Sequence, residues 1–182
     1  MSEIAVSLGP AAQELWTAWS RLPSRNFVPD RKDFDPMTII RILPIVSLLE
    51  RTGPEDWVFR LVGTEIERRW GRKIAGIDFA DIVSPEAAAV MRQELRHIVE
   101  WPCGSLTQRR VEFHSGRRAA IETLRLPLRA PDGRVVLILG CSGELPGRRS
   151  ELADRPREII TITEQRYLDI GAGCPAHEAL VG

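Results

Sequence analysis

The chain has 182 residues, of which 43% are hydrophobic, so one domain with tails can bury a sizeable core. Its 25 basic and 25 acidic residues cancel, so no net charge draws it to nucleic acid or to an anionic membrane. No apolar run approaches the roughly 18–20 residues of a membrane span, and the N-terminus lacks the pattern of a secretory signal. Three cysteines without a C-x-x-C pair favour a reducing compartment, so a cytoplasmic protein is expected.

The N-terminal part of the chain is predicted to hold two helices. Residues 10–21 form an amphipathic pattern that begins at a proline. Its apolar stripe consists of Leu15, Trp16, Trp19 and Leu22. A polar loop is expected over residues 24–34, followed by a short helix that Asp35 caps and Pro36 begins.

The most informative stretch is the strand, helix and turn predicted between residues 57 and 82. Residues 57–62 alternate with the period of two that is typical of a strand. Thr64 and Glu67 stand at the spacing of a capping box, which predicts a helix start. Gly71 lies where a helix end needs a left-handed residue, and Gly76 indicates a second turn.

The rest of the chain predicts one long helix and three more strands. Ser84 caps a helix that runs to about Glu100, with an inward side formed by Met91, Leu95 and Ile98. Strands are predicted at residues 107–114, 119–128 and 135–139, after earlier ones at 45–49 and 57–62. The strand 135–139 is apolar throughout, as expected for a central strand covered on both faces. This order of elements indicates an α+β fold with one antiparallel sheet.

Several of these segments, taken together, resemble the PAS domain family. The matching residues follow the Trp16 helix and are Asp35-Pro36, Leu43-Pro44-Ile45, Phe59-Arg60-Leu61-Val62-Gly63-Thr64, and Gly71 with Gly76 and Asp78. Their order over residues 15–143 is similar to that of small bacterial PAS proteins that carry no attached effector. The resemblance implies a five-stranded antiparallel sheet of order 2-1-5-4-3, with helices on one face and a flanking N-terminal helix.

The resemblance also implies a domain plan and a function. The plan is an N-terminal helix and loop over residues 1–34, a PAS-like core over 35–146, and a charged linker, short strand and loose tail over 147–182. The expected function is that of a non-catalytic cytoplasmic sensory module, which binds a small ligand or a signalling protein and acts through protein contacts as a homodimer. Two alternatives remain, a structural dimerising adaptor without a ligand and a PAS protein that binds a cofactor such as haem.

Five residues are predicted to bind a ligand, namely Arg60, Trp70, Trp57, Glu122 and His114. Arg60 lies in mid-strand among apolar neighbours, so its charge needs a partner or solvent. It is either half of an ion pair with Glu122 or an anchor for an anion, because a guanidinium group binds carboxylate or phosphate with two hydrogen bonds. Trp70 and Trp57 are either plain core or the roof of a ligand cavity.

A partner interface is predicted for six apolar residues, namely Leu15, Trp16, Trp19, Leu22, Ile160 and Ile162. The first helix either packs against a second protomer or covers the chain's own sheet. The short run at residues 159–162 either pairs with a sheet edge or a second protomer, or packs locally. The three histidines form no ligand spacing with one another or with the cysteines, so no metal site is expected.

Enzyme motifs do not occur in the sequence, so the chain is predicted not to be an enzyme. There is no Walker loop and no Rossmann glycine pattern, and Ser142 does not stand at the G-x-S-x-G position. Four basic pairs have acids close by and are expected to be solvated faces, namely Arg68-Arg69, Arg109-Arg110, Arg117-Arg118 and Arg148-Arg149.

Overall fold

A computed structural model of the chain describes residues 7–145 and 156–175. The main sheet consists of β3 (Val46–Arg51), β4 (Trp57–Val62), β5 (Gly104–Phe113), β6 (Arg118–Arg129), β7 (Val135–Glu144) and β8 (Pro156–Leu168). Its strands are antiparallel neighbours in the order β4-β3-β7-β6-β5-β8. A small hairpin of β1 (Ser24–Arg25) and β2 (Val28–Pro29) precedes it in the predicted loop.

Helices lie on both faces of this sheet. In the described ranges the α-helices are α1 (Pro10–Ser20), α2 (Thr64–Trp70) and α3 (Pro85–Glu100). Short 3-10 helices occur at Arg31–Asp33, Pro36–Ile39, Leu43–Ile45 and Phe79–Asp81. The helix α1 packs on one face of β6 and β7, whereas α3 covers the opposite face.

The core therefore has two layers, which the alternation of side chains along each strand separates. The layer under α1 includes Leu15, Trp19, Leu124, Leu126 and Leu139. The layer under α3 includes Leu49, Trp57, Leu95, Ile98 and Ile138. Since Leu139 and Ile138 are neighbours in β7 and face opposite layers, the prediction that this strand is covered on both faces is confirmed.

The prediction of a five-stranded sheet is wrong, because β8 adds a sixth strand beside β5. The order of the whole sheet therefore differs from 2-1-5-4-3. The strand β8 has 13 residues, instead of the short run predicted at 159–162. It pairs with the chain's own β5, from Gly104 opposite Leu168 to Phe113 opposite Pro156. At one end the Tyr167 hydroxyl lies 2.8 Å from His97 Nδ1, which ties β8 to α3.

The start of α2 differs from the predicted capping box. Gly63 is the N-cap and Thr64 is the first helical residue, and no side chain caps the helix. Glu67 Oε1 instead accepts a hydrogen bond of 3.3 Å from the backbone N–H of Ile74. The end of the helix is as predicted, with Gly71 in the left-handed conformation at φ +64°.

The backbone around Gly63 leaves no room for a side chain at this position. A Cβ atom on Gly63 would lie 2.3 Å from the carbonyl oxygen of Pro44. Because this neighbour is backbone and cannot swing aside, we expect Gly63→Ala to lower the free energy of unfolding by about 1–3 kcal/mol. The control is Thr64→Ala, which changes an exposed residue and should stay within about 0.5 kcal/mol. Urea unfolding measures both, and equal small effects would contradict the close contact.

Candidate ligand-binding site

A cavity of about 740 Å³ lies between the sheet and the helices α2 and α3. Its floor is one face of strands β3 to β7, and its roof is formed by α2, the Phe79–Asp81 turn and α3. The rim includes Trp70 and Ile162, whose side chains are 38% and 37% exposed. The volume lies within the range of roughly 300–1,000 Å³ that is typical of small-molecule sites.

One part of the cavity wall is apolar. It consists of residues that continue the core layer under α3, namely Leu49, Phe59, Ile66, Phe79, Met91 and Ile138. Leu49 lies opposite Phe59 in β4 and opposite Ile138 in β7, so these three side chains form a continuous patch on the floor. This patch can bury the hydrocarbon part of a ligand.

The floor beside this patch carries a row of hydroxyl groups. Thr107, Thr123 and Ser142 stand opposite one another on β5, β6 and β7. The oxygen Oγ1 of Thr123 lies 2.9 Å from Oγ of Ser142. The Nη2 group of Arg109, also on the floor, donates a hydrogen bond of 2.7 Å to the same threonine oxygen. The row can therefore donate or accept hydrogen bonds at the cavity surface.

A buried ion pair joins the roof to the floor. Arg125 Nη1 on β6 donates a hydrogen bond of 2.8 Å to Glu94 Oε1 on α3, and the side chains are only 8% and 4% exposed. The hydroxyl groups of Ser105 and Thr107 donate to the same carboxylate oxygen. These contacts compensate both charges and hold α3 over the sheet.

Two further guanidinium groups reach the cavity. Arg69 on α2 donates a hydrogen bond of 3.2 Å to the backbone oxygen of Ser142, and its Nε lies 3.5 Å from Glu65 Oε1. Burial lowers the pKa of Arg69. Burial, together with the charge of Arg125, lowers the pKa of Arg109 to about 10. At neutral pH Arg109 is therefore still charged, although its surroundings disfavour the charge.

The predicted ligand residues divide into two groups. Trp70 and His114 line the cavity. Arg60, Trp57 and Glu122 do not belong to the described lining, and Trp57 is core with 1% exposure. A ligand role for these three residues stays a prediction that this cavity does not support.

The predicted ion pair between Arg60 and Glu122 is wrong. Arg60 pairs with Glu50 on the neighbouring strand β3, and its side chain is 48% exposed. Glu122 lies on the face that α1 covers, where its Oε1 accepts a hydrogen bond of 2.8 Å from the backbone N–H of Gly9. The two side chains therefore have separate partners.

The predicted interface residues of the first helix mostly cover the chain's own sheet. Leu15 is fully buried, and the Trp19 indole N–H donates a hydrogen bond of 3.0 Å to the backbone oxygen of Pro127. Trp16 stacks on Trp19, and both Trp16 and Leu22 are partly buried in the same layer. The side chain of Ile160 lies outside the described part of the structure. A partner contact for these residues stays a prediction.

Sequence reasoning missed most of the polar groups of the cavity, although two signals exist. Glu94 falls on the apolar stripe of α3 between Met91 and Ile98, at the spacing of the inward face. A carboxylate at such a position needs a buried partner. Arg109 and Arg110 were expected to be one solvated pair, but alternation along β5 exposes Arg110 and directs Arg109 into the cavity. The prediction was therefore wrong for Arg109.

Other kinds of site find no support in the described residues. Burial raises the pKa of Cys103 and of Cys141 to about 12, so neither thiol is an activated nucleophile. Within 7–145 and 156–175, no three His, Cys, Asp or Glu side chains are grouped so that they could hold a metal ion. In the same ranges, no helix is both long and apolar enough to span a membrane.

Comparison with known families decides what this fold is. A family model described as a PAS domain matches residues 8–142, which is more than half of the chain. The chain belongs to the PAS domain family. PAS domains are sensory modules, so the cavity described above lies in a fold used for sensing. The strand β8 follows the matched residues and adds Ile162 to the cavity rim of this PAS domain.

Solved structures show fold similarity only. The PAS domain from Bordetella pertussis BvgS aligns with 60% of this chain and 84% of its own, at 18% identity and a TM-score of 0.47. A Vibrio cholerae VqmA dimer and VqmA bound to DPO align with 60% of this chain, both at 17% identity and a TM-score of 0.49. The chain spans 50% and 56% of those two VqmA chains. No curated protein matches the chain.

Proposed function

We propose that this PAS domain is a non-catalytic sensory module that binds a small molecule in its cavity and signals through protein contacts. The observation that supports the proposal is the cavity of about 740 Å³, with an apolar patch beside a polar floor. Apolar pockets with a few convergent polar groups are typical of ligand sites. A structural adaptor would be expected to fill this space with its own side chains.

The proposed route of the signal is the sheet itself. Thr123 and Arg125 on β6 face the cavity, whereas Leu124 and Leu126 on the same strand pack under α1. A ligand that binds one arrangement of β6 better than another shifts the population of that arrangement, and with it the packing of α1. The signal would leave the domain through α1 or through the outer edge of β8.

The partner surface we favour is a second copy of the chain. In the described structure β8 has a strand neighbour on one side only, and an open strand edge can pair with another chain. Ile160 and Ile162 belong to this strand, and Trp16 and Leu22 are the partly exposed residues of the α1 face. These four residues remain the proposed interface.

The test is native mass spectrometry of the purified full chain, followed by analysis of any released molecule. We expect a stoichiometric small molecule, which Val90→Trp should displace because Val90 lines the cavity. Ala89→Trp is the matched control, since the neighbouring Ala89 is exposed and lies outside the lining. A bare chain in every preparation, with tight self-association that both variants retain, would favour the structural adaptor instead.

Haem binding is a second candidate, because His114 lines the cavity and imidazole is a common axial ligand of haem iron. Expression with added haem should then give a Soret absorption band, and His114→Ala should remove or shift it. A colourless protein under these conditions would rule haem out and leave a ligand of another class.

A further inference from the structure

The charges around the cavity do not balance. The lining carries three guanidinium groups, which belong to Arg69, Arg109 and Arg125. Arg125 is paired with Glu94 in a buried ion pair. Arg69 Nε lies 3.5 Å from a carboxylate, that of Glu65, which also accepts two hydrogen bonds from Arg68. Arg125 therefore has a carboxylate of its own, and Arg69 shares one.

Arg109 differs from the other two arginines. Its hydrogen-bond acceptor is the neutral hydroxyl of Thr123, and no described carboxylate forms an ion pair with it. The other carboxylate of the lining, that of Glu86, is exposed at the start of α3. The floor of the cavity thus presents one half-buried cation that has no ion pair of its own among the described residues, since the nearby Glu94 carboxylate is bound to Arg125.

We propose that the ligand of this cavity is a small organic anion whose carboxylate or phosphate group binds Arg109. This inference rests on the proposed sensory function and gives the chemical class of its ligand. A guanidinium group binds either oxyanion with paired, charge-assisted hydrogen bonds. The Thr123 and Ser142 hydroxyl groups beside it are bonded to each other, so the one that does not donate to the other supplies a further donor.

The surroundings of Arg109 support an anion over a neutral ligand. Burial and the neighbouring charge of Arg125 disfavour the charged form of Arg109, which lowers its pKa to about 10. A bound oxyanion would offset this cost, whereas a neutral ligand would bury the charge further. The apolar patch at Leu49, Phe59 and Ile138 would hold the organic part of the same molecule.

The test compares matched probes by ligand-observed NMR and calorimetry on the full chain. The anions are benzoate, hexanoate and phenyl phosphate, and their neutral counterparts are benzamide, hexanamide and phenol. We expect binding of the anions over their counterparts, and a loss of about ten- to hundredfold in affinity in Arg109→Gln. Arg110→Gln is the matched control, because Arg110 is the exposed neighbour on the same strand. If the two carboxylates bind more tightly than phenyl phosphate, the anionic group of the ligand is a carboxylate. If phenyl phosphate binds more tightly, it is a phosphate.

Two measurements keep the result interpretable. The ligand-free Arg109→Gln variant should be as stable to heat as the natural chain, or more stable, because it loses a partly buried charge that has no ion pair of its own. A clear loss of stability would make Arg109 a structural residue and overturn the inference. Equal binding of acids and neutral counterparts, unchanged in Arg109→Gln, would overturn it as well, yet leave the sensory function standing.

If none of the probes binds, that result also counts against an anionic ligand. The sensory function has its own test in the co-purifying molecule that Val90→Trp displaces. A neutral molecule found there would sustain the proposed function and overturn this inference, so the two can fail separately.

Discussion

Replacing Glu94 with alanine should lower the free energy of unfolding by about 3–5 kcal/mol. The change leaves the buried guanidinium of Arg125 without its carboxylate, and the Ser105 and Thr107 hydroxyl groups lose their common acceptor. An uncompensated buried charge costs far more than the intact pair contributes. Chemical denaturation followed by circular dichroism gives the value.

The matched control removes both charges. The double variant Glu94→Leu with Arg125→Met replaces the pair by apolar side chains and should recover much of the loss. A loss of less than about 1 kcal/mol in Glu94→Ala would contradict the interpretation, since it would mean that Arg125 can reach water through the cavity. In that case the affinity of cavity ligands should differ between Glu94→Ala and the natural chain.

Replacing Trp57 with alanine should cost about 3–5 kcal/mol of stability. Its side chain is 1% exposed, in the core layer under α3, and its backbone N–H donates a hydrogen bond of 2.7 Å to Asp78 Oδ2. The large void cannot be refilled by the neighbouring side chains without strain. Urea unfolding monitored by circular dichroism measures the loss.

Trp70 provides the comparison, because it is 38% exposed at the rim of the cavity. Trp70→Ala should cost clearly less stability than Trp57→Ala, about 1–2 kcal/mol, because only part of the ring is buried. It should also weaken the binding of any ligand that contacts the rim. Similar stability losses in both variants would show that Trp70 is core, as the sequence allowed. A ligand effect in Trp57→Ala alone would restore that residue as a binding-site candidate.

Local signals in the sequence were sufficient to predict two elements near the site. The strand β4 and the helix α3 have the predicted bounds, because alternation and the Ser84-Pro85 start are short-range features. Ser84 Oγ does accept a hydrogen bond of 3.3 Å from the backbone N–H of Ala87. Such features depend on residues a few positions apart, so a single sequence contains them.

Local signals do not show which distant strands and side chains become neighbours. The sequence suggests Glu122 as a partner for Arg60 because a charge in mid-strand among apolar neighbours needs one. In the sheet, however, β3 and β7 lie between their strands, and the neighbour of Arg60 is Glu50. The pairing of β8 with β5 likewise joins residues far apart in the chain, and nothing in residues 159–162 specifies that partner.

The alternation along β6 has a consequence for how this protein can vary. Residues that line the cavity alternate with residues that pack under α1 between Ile121 and Leu128. Inserting or deleting one residue there would exchange the two sets, placing Arg125 under α1 and leucines in the cavity. The adjoining turn around Gly133 is exposed and can absorb a change of length. Natural relatives should therefore differ in length at this turn and keep the length of the strand.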